Sequence, residues 1–119
     1  MPINKITHKG KEIMFCDFKD MKNKQAIFDQ LDEMANTFKQ TKGNLLVLTD
    51  VRGTKNDPEI VDKTKRLGKE VFSVYAKKRA IIGMDGLRGL ILKGYNAITG
   101  NDLKPFPTLE EAKDYLAAD

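Results

Sequence analysis

The chain has 119 residues, 40% hydrophobic and 32% charged, with a net charge of +4. That is the size and balance of a single folded domain, here taken as 1–119, and it excludes a disordered segment or two full domains. No apolar run approaches the ~18 residues of a membrane span, and "MPINKITHKG" has no leader-like apolar stretch, so the expected location is cytoplasmic and the chain is not expected to be transmembrane.

"INKITHKGKEIMFCDF" predicts a hairpin. Ile3 to Thr7 forms an edge strand, the turn falls near Lys9-Gly10, and Glu12 to Phe18 returns. Ile13 and Phe15 alternate with Met14, Cys16 and Phe18, so this second strand should be covered on both faces. In the next stretch Ile27, Leu31, Met34 and Phe38 recur at helical spacing, with Asp20 as a candidate N-cap and Gly43 as a candidate stop. "LLVL" follows as a central strand. Asp57, Pro58 and Glu59 then mark a helix start, and Ile60, Val61, Thr64, Leu67, Val71, Phe72 and Tyr75 form its stripe. "KKRAIIGM" reads as a basic lead into a strand over Ala80–Met84. "DGLRGLILKGYNAITG" reads as a helix with Leu87, Leu90, Ile91, Tyr95 and Ile98 inward, stopped by Gly100. "DLKPF" is a short last strand. Thr108 with Glu111 makes a capping box for a final helix that turns Leu109, Ala112, Tyr115 and Leu116 inward.

The element order is β-β-α-β-α-β-α-β-α. Strands alternating with helices give an α/β fold. The expectation is a four- to five-stranded, mostly parallel sheet with an antiparallel N-terminal edge hairpin and four helices.

That order and several local strings resemble the STAS superfamily, and within it the small SpoIIAA-like stand-alone domains. The strings are "LLVLTDVRG", "KKRAIIGMDGLRGLI", "YNAITG" and "LKPFPTLEEAKDYL". The resemblance implies a non-catalytic domain. Its classical members are anti-sigma-factor antagonists, which bind a kinase partner and are switched by phosphorylation of a serine in a string like "DSSG". Here Asp50, Val51 and Gly53 match the strand end, but Pro58 and Glu59 stand where the serine pair would be, and the next hydroxyl is Thr64. The phospho-serine switch is therefore expected to be missing. The superfamily is also similar in fold to the CRAL-TRIO lipid-transfer core, which implies small apolar ligands, although 119 residues leave little room for a lipid-sized cavity.

Ligands of open α/β sheets gather at the carboxyl ends of strands. Asp50, Arg52, Thr54 and Asn56 lie at one such end, and Asp85 and Arg88 at another. The functional reading makes Arg52 a fork donor oriented by Asp50; the structural reading makes the segment a loop that bonds its own backbone. The glycines of "GMDGLRG" lack the G-x-G opening of a dinucleotide fingerprint. His8, the only histidine, has no evident partner for base catalysis. No cluster has the ligand spacing of a metal site. Cys16, the only cysteine, excludes an internal disulfide and reads as a small buried hydrophobe. Ser73 lies within a helix and not in a nucleophile elbow.

The resulting expectation is a non-catalytic regulatory or protein-interaction module with no cofactor, no metal and no nucleic-acid partner. Its surface would combine Asp50, Arg52, Thr54, Asn56, Asp85 and Arg88 with Leu87 and Ile91, and it would engage a protein partner or a second copy of itself as a homodimer. The alternative is a carrier of a small apolar ligand or lipid.

Overall fold

The computed structural model of the chain describes residues 3–55, 57–84, 92–97 and 103–118. Two strands open it, β1 (Ile3–His8) and β2 (Lys11–Asp17), paired antiparallel from Ile3↔Cys16 to His8↔Lys11. The connection is two residues long. Lys9 at φ 51° and Gly10 at φ 80° supply the positive angles that a tight right-twisting hairpin demands.

Helix α1 (Lys24–Lys39) follows. Its cap is Asn23 and not Asp20: the Asn23 side chain accepts from the Ala26 amide at 2.9 Å, while Asp20 sits at φ 60° in the preceding turn. It ends at Gln40, three residues before Gly43. Asn44 and Gly43, at φ 55° and 87°, then reverse the chain into β3 (Leu45–Asp50). Helix α2 (Pro58–Leu67) is capped by Asp57, which accepts from the Ile60 amide at 2.9 Å. It continues without a break through a π-turn, Gly68–Phe72, and a last turn, Ser73–Tyr75.

β4 spans Ala76–Ile82. The predicted strand began at Ala80 and ended at Met84, so the basic lead is itself strand. The reason is pairing: β3 hydrogen-bonds along its length and draws in Lys78 and Arg79 opposite Leu46 and Val47. Residues 92–97 are helical (α3), β5 covers Leu103–Phe106, and α4 covers Leu109–Ala117 under a Thr108 cap. Pro105 is tolerated because β5 is an edge strand.

The strands lie in the order β1-β2-β3-β4-β5, and every pair after the first is parallel. β2, β3 and β4 are thus neighbours pointing one way, with Met14, Val47 and Arg79 in one row and Cys16, Thr49 and Ile81 in the next. Right-handed crossovers between strands in unbroken order put their helices on a single face. α1 and α2 accordingly bury Ile27, Leu31, Phe38 and Ile60 on Met14, Cys16 and Val47. The opposite face carries Ile13, Leu48, Ala80 and Ile82 and is closed by Ala112 and Leu116 of α4. Both faces of β2 are covered, as its pattern predicts. No helix among the described residues is long and apolar enough to cross a membrane.

Candidate functional site

At the carboxyl rim, two loops are fastened together by their backbones. The Phe18 amide donates to the Asp50 carbonyl at 2.9 Å, the Asp20 amide to Arg52 at 2.8 Å, and the Lys55 amide to Met21 at 2.7 Å. Thr54 is buried, and its hydroxyl donates to the Phe18 carbonyl. Lys22 Nζ donates to the Gly53 carbonyl. Asp50 is only 2% exposed. It accepts from the Arg52 amide at 3.0 Å, from Nε at 3.1 Å and from Nη2 at 2.8 Å. Arg52 is 43% exposed at its side chain, but much of its fork is engaged by Asp50. Gly83, at φ 99°, lets the next loop approach: a Cβ there would stand 2.7 Å from the Arg52 nitrogen. The structure therefore brings Asp50, Arg52 and Thr54 into one knot of hydrogen bonds. Asn56, Asp85, Leu87, Arg88 and Ile91 lie outside the described residues. Because the strand order never reverses, this rim has no switch-point crevice of the kind that holds ligands in doubly wound sheets.

A concave feature lies elsewhere, between α2 and the sheet face that α1 and α2 cover. It is a cavity of about 120 Å³. Its lining runs from fully buried Ile27 and Met34, through Phe72, Ile81, Leu92 and Leu103, to exposed Lys55. Thr49, Thr54, Arg79 and Tyr95 are buried polar residues of that lining, and the Thr54 hydroxyl is already engaged by the Phe18 carbonyl.

Arg79 is 2% exposed. Alternation along β4 forces this position: residues 79 and 81 share the face toward α2, whereas Ala80 and Ile82 face α4. The guanidinium carbon lies 5.6 Å from the Phe72 ring centroid and 5.2 Å from that of Tyr95, both within cation–π range. The π-turn carries Phe72 to this place. Gly68, one turn earlier, makes room for Tyr95; a Cβ on it would come within 2.7 Å of the Tyr95 ring.

Arg79 Nε and Nη1, the Tyr95 hydroxyl and the Thr49 hydroxyl are buried without a hydrogen-bond partner among the described residues. Burial pushes the Tyr95 phenol above its ordinary range, and the Arg79 guanidinium pulls part of that back by its charge and by its approach to the phenol oxygen, which falls short of a well-formed hydrogen bond. Burial likewise pushes the Cys16 thiol up to about 12, against the lowering influence of Arg79. Such a thiol is inert.

His8 does have a partner. Its Nε2 lies 2.8 Å from Asp114 Oδ1, tying the hairpin to α4, and Lys9 reaches the same oxygen at 2.9 Å. His8, Glu110 and Asp114 bring one ligand atom each within 4.8 Å of one another. The ammonium of Lys9 already neutralises the shared carboxylate, and no nucleophile accompanies the His8–Asp114 pair among the described residues.

The sequence pattern does not single out Arg79, because "KKRAIIGM" reads as a basic lead into a strand that starts at Ala80. The available signal was its place two residues before Ile81, in phase with the inward face.

A five-stranded mixed sheet with a leading antiparallel hairpin, parallel crossovers on one face and a terminal helix on the other is a SpoIIAA-like fold. The crystal structure of an uncharacterised protein of the DUF3478 family with a SpoIIAA-like fold, from Shewanella loihica PV-4, is similar to this chain at a TM-score of 0.72 and 16% identity. The match covers 97% of this chain and 92% of that one. No protein-family model and no curated protein matches the chain.

Proposed function

We propose that this chain is a non-catalytic binding domain and that it holds one small, mainly apolar molecule in the cavity beneath α2. The observation that carries this reading is the cavity itself: about 120 Å³, walled largely by side chains of Phe, Ile, Leu and Met. An engineered apolar cavity of ~150 Å³ takes up benzene, so the volume suits a single ring or a short alkyl group. The reading is thus the carrier alternative, scaled down from lipid to small molecule.

The absence of a hydroxyl at Pro58 and Glu59 supports a domain that does not use the phospho-serine switch. Asp57 already places a carboxylate at the amino end of α2, which further disfavours added negative charge there.

Native mass spectrometry of freshly purified protein tests the proposal, together with thermal melts in the presence of small neutral probes, benzyl alcohol and hexan-1-ol, and their carboxylates, benzoate and hexanoate. A co-purifying small mass, or a saturable rise in melting temperature with any of these probes, is expected. A clean apo mass together with no shift from any probe refutes it.

A second reading, docking of a protein partner at the carboxyl rim, is favoured by the exposed part of Arg52 held in place by Asp50. Removing Arg52 and Arg88 together should then weaken capture of that partner without unfolding the domain.

A further inference from the structure

We infer that the molecule in the cavity is an anion, specifically a small apolar monocarboxylate whose carboxylate is received by Arg79 with Tyr95 and Thr49. The inference rests on the binding role proposed above and goes beyond it by naming the head group.

Four buried side-chain atoms lack hydrogen-bond partners among the described residues: Thr49 Oγ1, Arg79 Nε, Arg79 Nη1 and the Tyr95 hydroxyl. All four belong to residues that line this one cavity. Buried polar groups are nearly always satisfied, so a cluster of orphans in one place calls for a missing partner. All four can donate, and two belong to a cation. The group that completes them must therefore accept hydrogen bonds and carry negative charge. A carboxylate has two oxygens, each able to accept more than one hydrogen bond, so one such group can take donors from several of these side chains at once.

The register supports convergence. Thr49 and Arg79 stand on adjacent strands two residues out of step, on the same face of the sheet. Tyr95 comes over them from α3, with its ring beside the guanidinium. The charged residues among the described lining are Arg79, Lys55 and Lys65, all positive, and no carboxylate is among them. An anion in the cavity faces no carboxylate among that lining. Beyond the head group, Phe72, Ile81 and Leu92 offer only apolar contact. The volume suits one ring or a short alkyl chain.

The experiment compares benzoate and hexanoate with benzyl alcohol and hexan-1-ol at neutral pH, by titration calorimetry and by thermal shift. It uses the wild-type chain, Arg79→Met and Tyr95→Phe. For wild type, a carboxylate should bind on the order of 100-fold more tightly than the matching alcohol. Arg79→Met should erase that preference. Tyr95→Phe keeps the ring and its packing, and should cost the carboxylate about tenfold. Equal affinity for acid and alcohol in wild type overturns the anion inference and leaves the binding role standing. Binding of none of the four overturns both. Inorganic phosphate that competes as well as benzoate overturns the apolar half of the ligand. Should Arg79→Met fail to fold, Arg79→Gln removes the charge while keeping a polar side chain and should still lose most of the preference; retention of the full preference there overturns the role of Arg79.

Discussion

Removing the Arg79 charge should make the unliganded protein more stable. A guanidinium keeps its charge in the interior, and two of its nitrogens here have no partner among the described residues. Each unsatisfied buried donor costs about 1–3 kcal/mol, more when charged. The contacts with Phe72 and Tyr95 return about 0.5–2 kcal/mol apiece. The balance leaves a liability of about 1–2 kcal/mol. Arg79→Met retains an unbranched stem of similar reach and adds a sulfur against the same two rings, which is itself mildly favourable. The variant should therefore gain about 1–2 kcal/mol in urea unfolding followed by circular dichroism, and melt about 4–8 °C higher. A wild-type protein saturated with its ligand should close that gap. If Arg79→Met instead loses more than about 1 kcal/mol in the ligand-free state, the guanidinium is satisfied within the fold and the reasoning that makes it a waiting receptor is wrong.

Cys16 should resist iodoacetamide at mildly alkaline pH and react only once denaturant is added, since it is buried with its thiol pushed up to about 12; stoichiometric labelling of the native protein would contradict this. Bonds from His8 and Lys9 hold the Asp114 carboxyl below its ordinary pKa. A depressed folded pKa means that the stabilisation is complete above the unfolded value of about 4 and fades as pH falls through the folded one. The melting-temperature difference between wild type and Asp114→Asn should shrink toward zero in acid, and a difference that persists there would remove charge as the cause. Gly83→Ala combines φ 99° with a Cβ 2.7 Å from the Arg52 backbone nitrogen. It should cost at least about 2 kcal/mol by chemical denaturation, and a loss under about 0.5 kcal/mol would show that the loop yields freely. Gly68→Ala drives a methyl group into the Tyr95 ring. It should fold yet change the near-ultraviolet circular dichroism of the tyrosines, and an unchanged spectrum would place Tyr95 elsewhere in solution.

Much of the fold was legible because its signals are local. The Lys9-Gly10 turn, the Asp57-Pro58 start and the Thr108 cap each depend on a few adjacent residues, and the structure has all three. The α1 stripe needs only spacing, and its four predicted residues are buried. Boundaries set by pairing were not legible. Nothing in "AKKR" announces that β3 will hydrogen-bond to it, so β4 was started four residues late. The same error concealed the cavity's cation, because a lysine-arginine run ordinarily faces water. Asp50 and Arg52 were visible as a pair, but their mutual engagement is a matter of side-chain geometry that spacing does not encode. The cavity depends on α2, α3 and the sheet failing to fill the space between them, which is a property of packed volumes and of no single motif.

The π-turn at Gly68–Phe72 holds one residue more than an ordinary helical turn needs. Deleting exposed Glu70 would let residues 58–75 run as a regular helix, with Ile60 upstream and β4 downstream kept in register. Chain length can thus change by one at this spot without disturbing the sheet, and the change falls on the wall that carries Gly68 and Phe72. A lineage could retune what the chamber accepts by gaining or dropping a single codon, leaving the scaffold untouched.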